Sequence, residues 1–337
     1  MKALFIGGTG LISSACAELA IERGIELLML TRGRSTKYEP PRGAKLLKAD
    51  IAGDVSALTA ALADHTFDSV VNWIAFKPSD IERDIRIFGG RTRQYVFISS
   101  ASVYQKPPTH YRITEDTPLA NPFWTYSADK IAAEERARLE YRDKRFPVTI
   151  VRPSLTYGLT QIPFAVGSWS HPYTVIDRMR RGQKVIVPGD GESLWTCTWN
   201  GDFAKGFVPL LGREEAVGHA IHITSDEVLT WNQFYTIAAH AAGVEPQLLH
   251  VASDMLAAHF PGEMGGLLGD KSISVVFDNS KIKRFAPGFN AVVPWSEGVR
   301  RSLAWFDADA SRRTIDVAAN QRWDAFISAY ERALPAH

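Results

Sequence analysis

Short apolar runs alternate with longer amphipathic ones through the first 150 residues. Ala3-Leu4-Phe5-Ile6 reads as a buried strand, and the spacing that follows predicts a helix over Leu11 to Arg23. Leu27-Leu28-Met29-Leu30 and Lys45-Leu46-Leu47-Lys48-Ala49 predict a second and a third strand. Val55 to Ala63 is helical in pattern, and Ser69-Val70-Val71-Asn72-Trp73 and Tyr95-Val96-Phe97-Ile98-Ser99 supply a fourth and a fifth strand. None of these runs alternates apolar with polar, so the strands are covered on both faces, as in a parallel sheet between helices. Strand and helix in strict alternation give the α/β class with a doubly wound parallel sheet.

Tyr126 to Arg142 predicts a long helix, and Val148-Thr149-Ile150-Val151-Arg152 a further strand closed by Pro153. Beyond about Leu159 the regularity weakens, with loops marked by Pro163, Pro172, Pro188 and Gly189-Asp190-Gly191. Ala220-Ile221-His222-Ile223 returns as a strand, and Thr230-Trp231-Asn232-Gln233 carries the pattern of a capping box opening a helix through Ala242. Trp295 to Phe306 and Asp316 to Leu334 predict terminal helices. The organisation expected is a nucleotide-binding domain over residues 1–160, rejoined by the chain around 200–226. A smaller substrate lobe is expected from residues 161–199 and 227–337.

Composition narrows the setting. The 337 residues suggest about two domains. Lys plus Arg number 38 against 37 Asp plus Glu, so the net charge of +1 gives no electrostatic reason for nucleic acid or an acidic membrane as main partner. Two cysteines, Cys16 and Cys197, are too few for a disulfide framework, and the nine histidines show no metal-ligand spacing, so no metal is expected. No apolar run reaches the ~20 residues of a membrane span, and the N-terminus meets glycine too early for a secretory apolar region. A cytoplasmic setting is expected.

Gly7-Gly8-Thr9-Gly10-Leu11-Ile12-Ser13 follows the first strand and opens a helix. Small residues there let the backbone approach a pyrophosphate, whose charge is met by N–H groups at the helix N-terminus. The third glycine of the usual spacing is Ser13, small enough to keep the helix close to the sheet. At the end of the second strand, an acid would accept hydrogen bonds from a ribose hydroxyl. The chain instead has Thr31-Arg32-Gly33-Arg34. Guanidinium groups suit a 2′-phosphate, which favours NADP, with NAD as the alternative. Asp50 and Ile51, after the third strand, are expected beside the adenine, and Ala75 is counted with the cofactor-binding residues.

Tyr126-Ser127-Ala128-Asp129-Lys130 puts a phenol and an ammonium one turn apart on one helix face. A tyrosine near its reference pKa of ~10 is a poor base at neutral pH. A neighbouring cation stabilises the phenolate and makes it a usable acid/base. Upstream, Ser99-Ser100-Ala101-Ser102 brings hydroxyls to the C-terminal tip of a parallel strand, the edge where such sheets bind ligands.

These motifs, with Val103-Tyr104, Glu115-Asp116-Thr117-Pro118, Val151-Arg152-Pro153-Ser154-Leu155-Thr156-Tyr157-Gly158 and Gly189-Asp190-Gly191, resemble those of the extended short-chain dehydrogenases/reductases, the NAD(P)-dependent epimerase/dehydratase family. The resemblance covers nearly the whole chain and implies a Rossmann-type fold. By matching position, Tyr126 would be the acid/base, and Lys130 would lower its pKa and bind the ribose. Ser100 would be the catalytic serine with Ser99 as fallback, and Pro153 would line the nicotinamide. The resemblance also implies a homodimer, with Asp80 to Arg93 and Tyr126 to Arg142 as contact helices.

Two departures bear on the substrate. Sugar-nucleotide 4,6-dehydratases of this kind place an Asp-Glu pair where this chain has Ala101 and Ser102, which argues against elimination chemistry. Nucleotide-sugar enzymes usually follow Gly-Asp-Gly with an arginine that clamps the diphosphate, whereas Trp195 stands near that position. Trp195 and Trp199 are candidate substrate contacts or packing residues, and Ala101 and Ser102 are counted with the candidate substrate contacts. His171 is a candidate substrate contact or a turn residue. The expected activity is hydride transfer at a hydroxyl carbon of a sugar or sugar-like alcohol, oxidising, reducing or epimerising it. A net reductase or dehydrogenase of a non-nucleotide small molecule, or a non-catalytic NADP-binding protein that binds RNA, are the alternatives.

Overall fold

The computed structural model describes residues 1–33 and 38–334, which form two compact units. The first comprises Met1–Thr156, Cys197–Asp226 and Val276–Val292. Its centre is a seven-stranded, all-parallel sheet of β1 (Lys2–Ile6), β2 (Glu26–Thr31), β3 (Lys45–Lys48), β4 (Ser69–Asn72), β5 (Tyr95–Ile98), β6 (Val148–Pro153) and β7 (Ala220–Ile223). In space the order is β7-β6-β5-β4-β1-β2-β3. The chain winds outward from β1 in one direction and then restarts on β1's other side with β4. The crevice at the carboxyl ends of β1 and β4 is therefore the switch point of the sheet, where such folds bind ligands.

Both faces of the sheet are apolar, which explains the lack of alternation in the sequence. Ala3 and Phe5 of β1 enter one core with Cys16, Ala17, Ala20, Phe203 and Phe207, while Leu4 and Ile6 enter the other with Leu58, Ile81, Ile87, Ala133 and Ala137. The first core is covered by α1 (Leu11–Glu22) and the helix Asn200–Phe207, the second by α2 (Val55–Ala61), α3 (Pro78–Phe88) and α4 (Thr125–Lys144). Buried positions on α1 are Ser13, Ser14, Cys16, Ala17 and Ala20, all small, so the helix lies close to the strands. α3 stops before Gly89-Gly90, five residues short of the expected end at Arg93. The expected third strand and second helix end one and two residues early.

The second unit is built from Tyr157–Thr196, Glu227–Val275 and the chain from Val293 onward. Lys184–Pro188 and Gln247–Val251 pair in parallel. The capping box forms as expected, with Thr230 Oγ1 accepting from the Gln233 N–H and Gln233 Oε1 from the Thr230 N–H, and opens the helix Trp231–Ala241. Trp295 is fully buried at the start of the helix Trp295–Asp307 and donates to the Phe234 carbonyl at 3.0 Å.

Candidate active site

The loop after β1 demands glycine. Gly7 has φ +82°, and a Cβ there would lie 2.6 Å from Ile74 Cγ2. Ile74 belongs to the loop after β4, so the two loops of the switch point touch. Ser13, in place of the third glycine, turns its hydroxyl back to accept from the Gly10 N–H at 2.8 Å. The next amides, those of Leu11 and Ile12, lie in the first turn of α1 and have no intrahelical acceptor. A glycine-rich cradle in front of a helix N-terminus fits a dinucleotide pyrophosphate. Thr9 lies in the same turn, its N–H on the Gly7 carbonyl.

The loop after β4 is pinned from beneath. Asn72 Oδ1 accepts from the Ile74 N–H at 2.9 Å, and its Nδ2 donates to fully buried Asp84 of α3, which also accepts from the Tyr95 hydroxyl. Asp80 accepts from the N–H groups of Phe76 and Lys77 at 2.8 and 3.1 Å. Ala75 is buried, while Ile74 and Phe76 remain exposed beside it.

On α4, Tyr126 and Lys130 stand one turn apart, with the ammonium 5.8 Å from the centre of the phenol ring. The buried Lys130 Nζ donates to the Ala75 carbonyl at 2.7 Å and the Ile98 carbonyl at 2.8 Å, and lies 4.3 Å from the Phe76 ring centre. Burial pulls its pKa down to about 7, against the raising influence of Asp80 and Glu134. The Tyr126 ring lies between Trp124 and Phe76, at 5.0 and 6.1 Å.

α4 is tied to the sheet by an ion pair that lies one further turn along the same face. Glu134 meets Arg152 of β6 through a forked pair of bonds at 2.8 and 2.6 Å, both side chains fully buried. Burial alone would raise the Glu134 pKa, but the Arg152 charge and bonds hold it below the ordinary carboxylate range. Arg152 lies over the Tyr104 ring, whose hydroxyl bonds His222 Nδ1 at 2.9 Å. Burial lowers the His222 pKa to about 4, so this imidazole is neutral at pH 7. Pro153 ends β6 next to this clamp and is buried.

The serine pair after β5 divides its directions. Ser99 is buried and faces Glu134, whereas Ser100 is partly exposed and its oxygen bonds Ser102 Oγ at 2.9 Å. Ala101 and Ser102 are buried in the short turn Ala101–Val103. Ser127, Asn121, Phe76, Trp124 and Glu134 join the site without a motif of their own to mark them. Glu134 carried a readable signal, since Tyr126, Lys130 and Glu134 recur at intervals of four.

Arg32 follows β2 directly, is exposed, and has no carboxylate partner among the described residues. Arg34 lies outside the described residues. Asp50 is exposed and its carboxylate accepts from the Ala52 N–H at 3.0 Å, while Ile51 is buried in the core. Trp199, partly buried, caps the helix Asn200–Phe207. In the second unit Trp195 is 1% exposed and stacked on Trp231, a packing position that offers a substrate no open face. His171 closes a turn there: its carbonyl accepts from the Thr174 hydroxyl at 2.7 Å and its Nδ1 bonds Ser170.

The family model for the NAD dependent epimerase/dehydratase family matches residues 3–224, spanning the glycine loop, the serine turn, the Tyr-Lys helix and β7. The chain belongs to this family. It is an enzyme of the extended short-chain dehydrogenase/reductase type, and NAD(P) is the family's coenzyme. Among curated relatives, a 2′-dehydrokanamycin reductase of Streptomyces kanamyceticus is 24% identical over 86% of this chain and 80% of its own. A chloroplast stem-loop binding protein of 41 kDa from Arabidopsis thaliana is 26% identical over 74% of this chain and 65% of its own. The fold of this epimerase/dehydratase-family enzyme matches that of a UDP-glucuronic acid 4-epimerase from Bacillus cereus solved with NAD, with a TM-score of 0.71 at 17% identity over 93% of this chain and 100% of that one. Among the described residues no helix is long and apolar enough to cross a membrane, and no His, Cys, Asp and Glu cluster is disposed to hold a metal.

Proposed function

We propose that this enzyme oxidises, reduces or epimerises a hydroxyl-bearing carbon of a sugar or sugar-like alcohol, with Tyr126 as acid/base. The observation that carries the reading is the buried Lys130 ammonium, held by the carbonyls of Ala75 and Ile98 one turn from the phenol. In its charged form Lys130, fixed in low-dielectric surroundings, stabilises a phenolate far more than a solvated ammonium does, and the phenolate in turn favours that charged form. Tyr126 takes the proton of the substrate hydroxyl during oxidation and returns it during reduction, while Ser100 hydrogen-bonds the same oxygen. Gly7, Thr9 and Gly10, with the amides of Leu11 and Ile12, would hold the coenzyme's pyrophosphate. Lys130 would hold its ribose, and Ala75 and Pro153 would border its nicotinamide. When bound, the coenzyme supplies the acceptor or donor of the hydride.

Arg32, exposed and unpaired by any described carboxylate, supports NADP over NAD. Ala101 and Ser102 supply no acid for elimination, and a tryptophan in place of the diphosphate-clamping arginine supports a substrate without a nucleotide diphosphate. The 2′-dehydrokanamycin reductase among the relatives fits that direction. A homodimer through α3 and α4, whose outward residues include Glu82, Arg86, Glu135 and Leu139, completes the reading.

The test is Tyr126→Phe, assayed for hydride transfer and for coenzyme affinity. Turnover should vanish with affinity changed no more than a few-fold, because the hydroxyl acts in chemistry and not in anchoring. Substantial residual turnover refutes the role. Denaturing the purified enzyme and measuring released nicotinamide separates the branches: stoichiometric retention marks an epimerase, an empty site a net redox enzyme.

A further inference from the structure

Three hydroxyls form a line that ends at Ser100, and only the last reaches the surface. Ser127, adjacent to Tyr126 on α4, is fully buried and donates from Oγ to Ser102 Oγ at 2.8 Å. Ser102, also buried, lies 2.9 Å from Ser100 Oγ, and its backbone N–H donates to that same oxygen at 3.2 Å. Asn121 Nδ2 holds the Ser102 carbonyl at 2.8 Å, fixing the turn on which both serines ride.

Counting protons along the line sets its direction. A hydroxyl has one proton and two lone pairs. With Ser127 donating inward, the Ser102 proton needs an acceptor, and Ser100 Oγ is the one within reach. Ser100 Oγ then receives two hydrogen bonds, from the Ser102 hydroxyl and the Ser102 amide, and its acceptor capacity is filled. Its own proton has no partner in the line and points outward.

From this geometry we infer that Ser127 and Ser102 are positioning residues that make Ser100 a fixed hydrogen-bond donor to the substrate oxygen. The inference rests on the reading of Ser100 as the substrate-binding serine. A fixed donor suits both directions of the reaction. An alcohol oxygen accepts from Ser100 and must direct its own proton elsewhere, which leaves Tyr126 as its taker. A carbonyl oxygen accepts from Ser100 in the same way, so the serine does not have to turn between oxidation and reduction. Donors oriented in advance toward developing charge cost no reorganisation at the reacting moment.

Neutron diffraction on deuterium-exchanged crystals of the whole enzyme reads the direction without any substrate. The deuteron of Ser102 should lie on the line to Ser100, and that of Ser100 should point away from Ser102. A deuteron placed from Ser100 to Ser102 overturns the inference. The kinetic arm uses 2′-dehydrokanamycin and UDP-glucose as probes, with NADPH and NAD respectively. With a probe that turns over, Ser127→Ala should lower kcat about tenfold, less than the loss of a whole oxyanion donor. KM and coenzyme affinity should stay within twofold, and Ser127→Thr should restore most of the rate. Equal losses in the alanine and threonine variants mean packing alone and refute the role. No loss in Ser127→Ala, where Tyr126→Phe abolishes turnover, also refutes it while leaving the parent reading intact. Persistent turnover in Tyr126→Phe sinks the parent reading, and the deuteron map still decides the orientation.

Discussion

Lys130 offers the most direct physical measurement. Its ammonium is 2% exposed, and burial lowers its pKa from 10.5 to about 7. The unfolded chain therefore holds the lysine proton more tightly than the folded one does. Between pH 7 and 10.5 the unfolded state binds more protons, so stability rises with pH across that window and flattens below it. A fall from 10.5 to about 7 corresponds to a contribution on the order of 5 kcal/mol, at about 1.4 kcal/mol per pH unit. Lys130→Met removes the titrating group and keeps most of the buried stem. In urea unfolding of the coenzyme-free wild type and of the variant, measured from pH 6 to 10, the difference between the two should shift by about 4 kcal/mol, from the pH units between 7 and 10. The wild type should gain on the variant as pH rises. Parallel pH profiles, or a wild type that loses ground with rising pH, would show that the Lys130 ammonium is solvated and only weakly stabilises a Tyr126 phenolate.

Gly7→Ala should cost about 2 kcal/mol from its positive φ, with more from the Cβ meeting Ile74, and should weaken coenzyme binding at least tenfold; calorimetry that finds unchanged affinity contradicts the cradle. Arg152→Met leaves buried Glu134 with only the half-exposed Arg138, 3.5 Å away, as a cationic partner, and should destabilise by about 3–5 kcal/mol. The carboxyl then titrates near or above its ordinary range, so the variant's deficit should shrink as pH falls. Adding Glu134→Leu should recover much of the loss, and an additive double variant in chemical denaturation would deny the coupling. Arg32→Ala should weaken NADP by about 10–100-fold, the worth of a charge-assisted fork. NAD affinity should hold within about threefold, and equal losses in fluorescence titrations would undo the coenzyme assignment.

The sheet was legible because its strands, apart from the largely exposed edge strand β3, are buried on both faces, and a short unbroken apolar run between polar loops fits little besides a strand covered above and below. The Tyr126 to Lys130 spacing was legible for the same local reason, since four residues are one helical turn. The buried face of α4 was harder to read. It carries Ser127, Lys130, Glu134 and Glu140 among its alanines, so no apolar stripe marks it. The partners that make those polar residues tolerable, Ser102, Ile98 and Arg152, come from other elements. Residues 276–292 likewise gave no local sign of belonging with the first unit. Their membership comes from Ile282, Phe285 and Phe289 joining its core and from Asn279 bonding Thr224, contacts made across more than 50 residues. Trp195 shows the limit of reading by position, because matching a motif cannot tell a ring facing ligand from one stacked on another tryptophan.

Because the polypeptide passes back and forth five times between its two compact bodies, neither can be cut out with one pair of scissors. A gene truncated after Asp226 would keep every coenzyme motif yet lose the late stretch that seals the outer flank of β7 and supplies four apolar side chains, Ile282, Phe285, Ala286 and Phe289. Such a fragment should be recovered insoluble. Replacing residues 157–196 and 227–275 by short artificial tethers, so that 276–292 stays attached, is the way to obtain the first unit by itself.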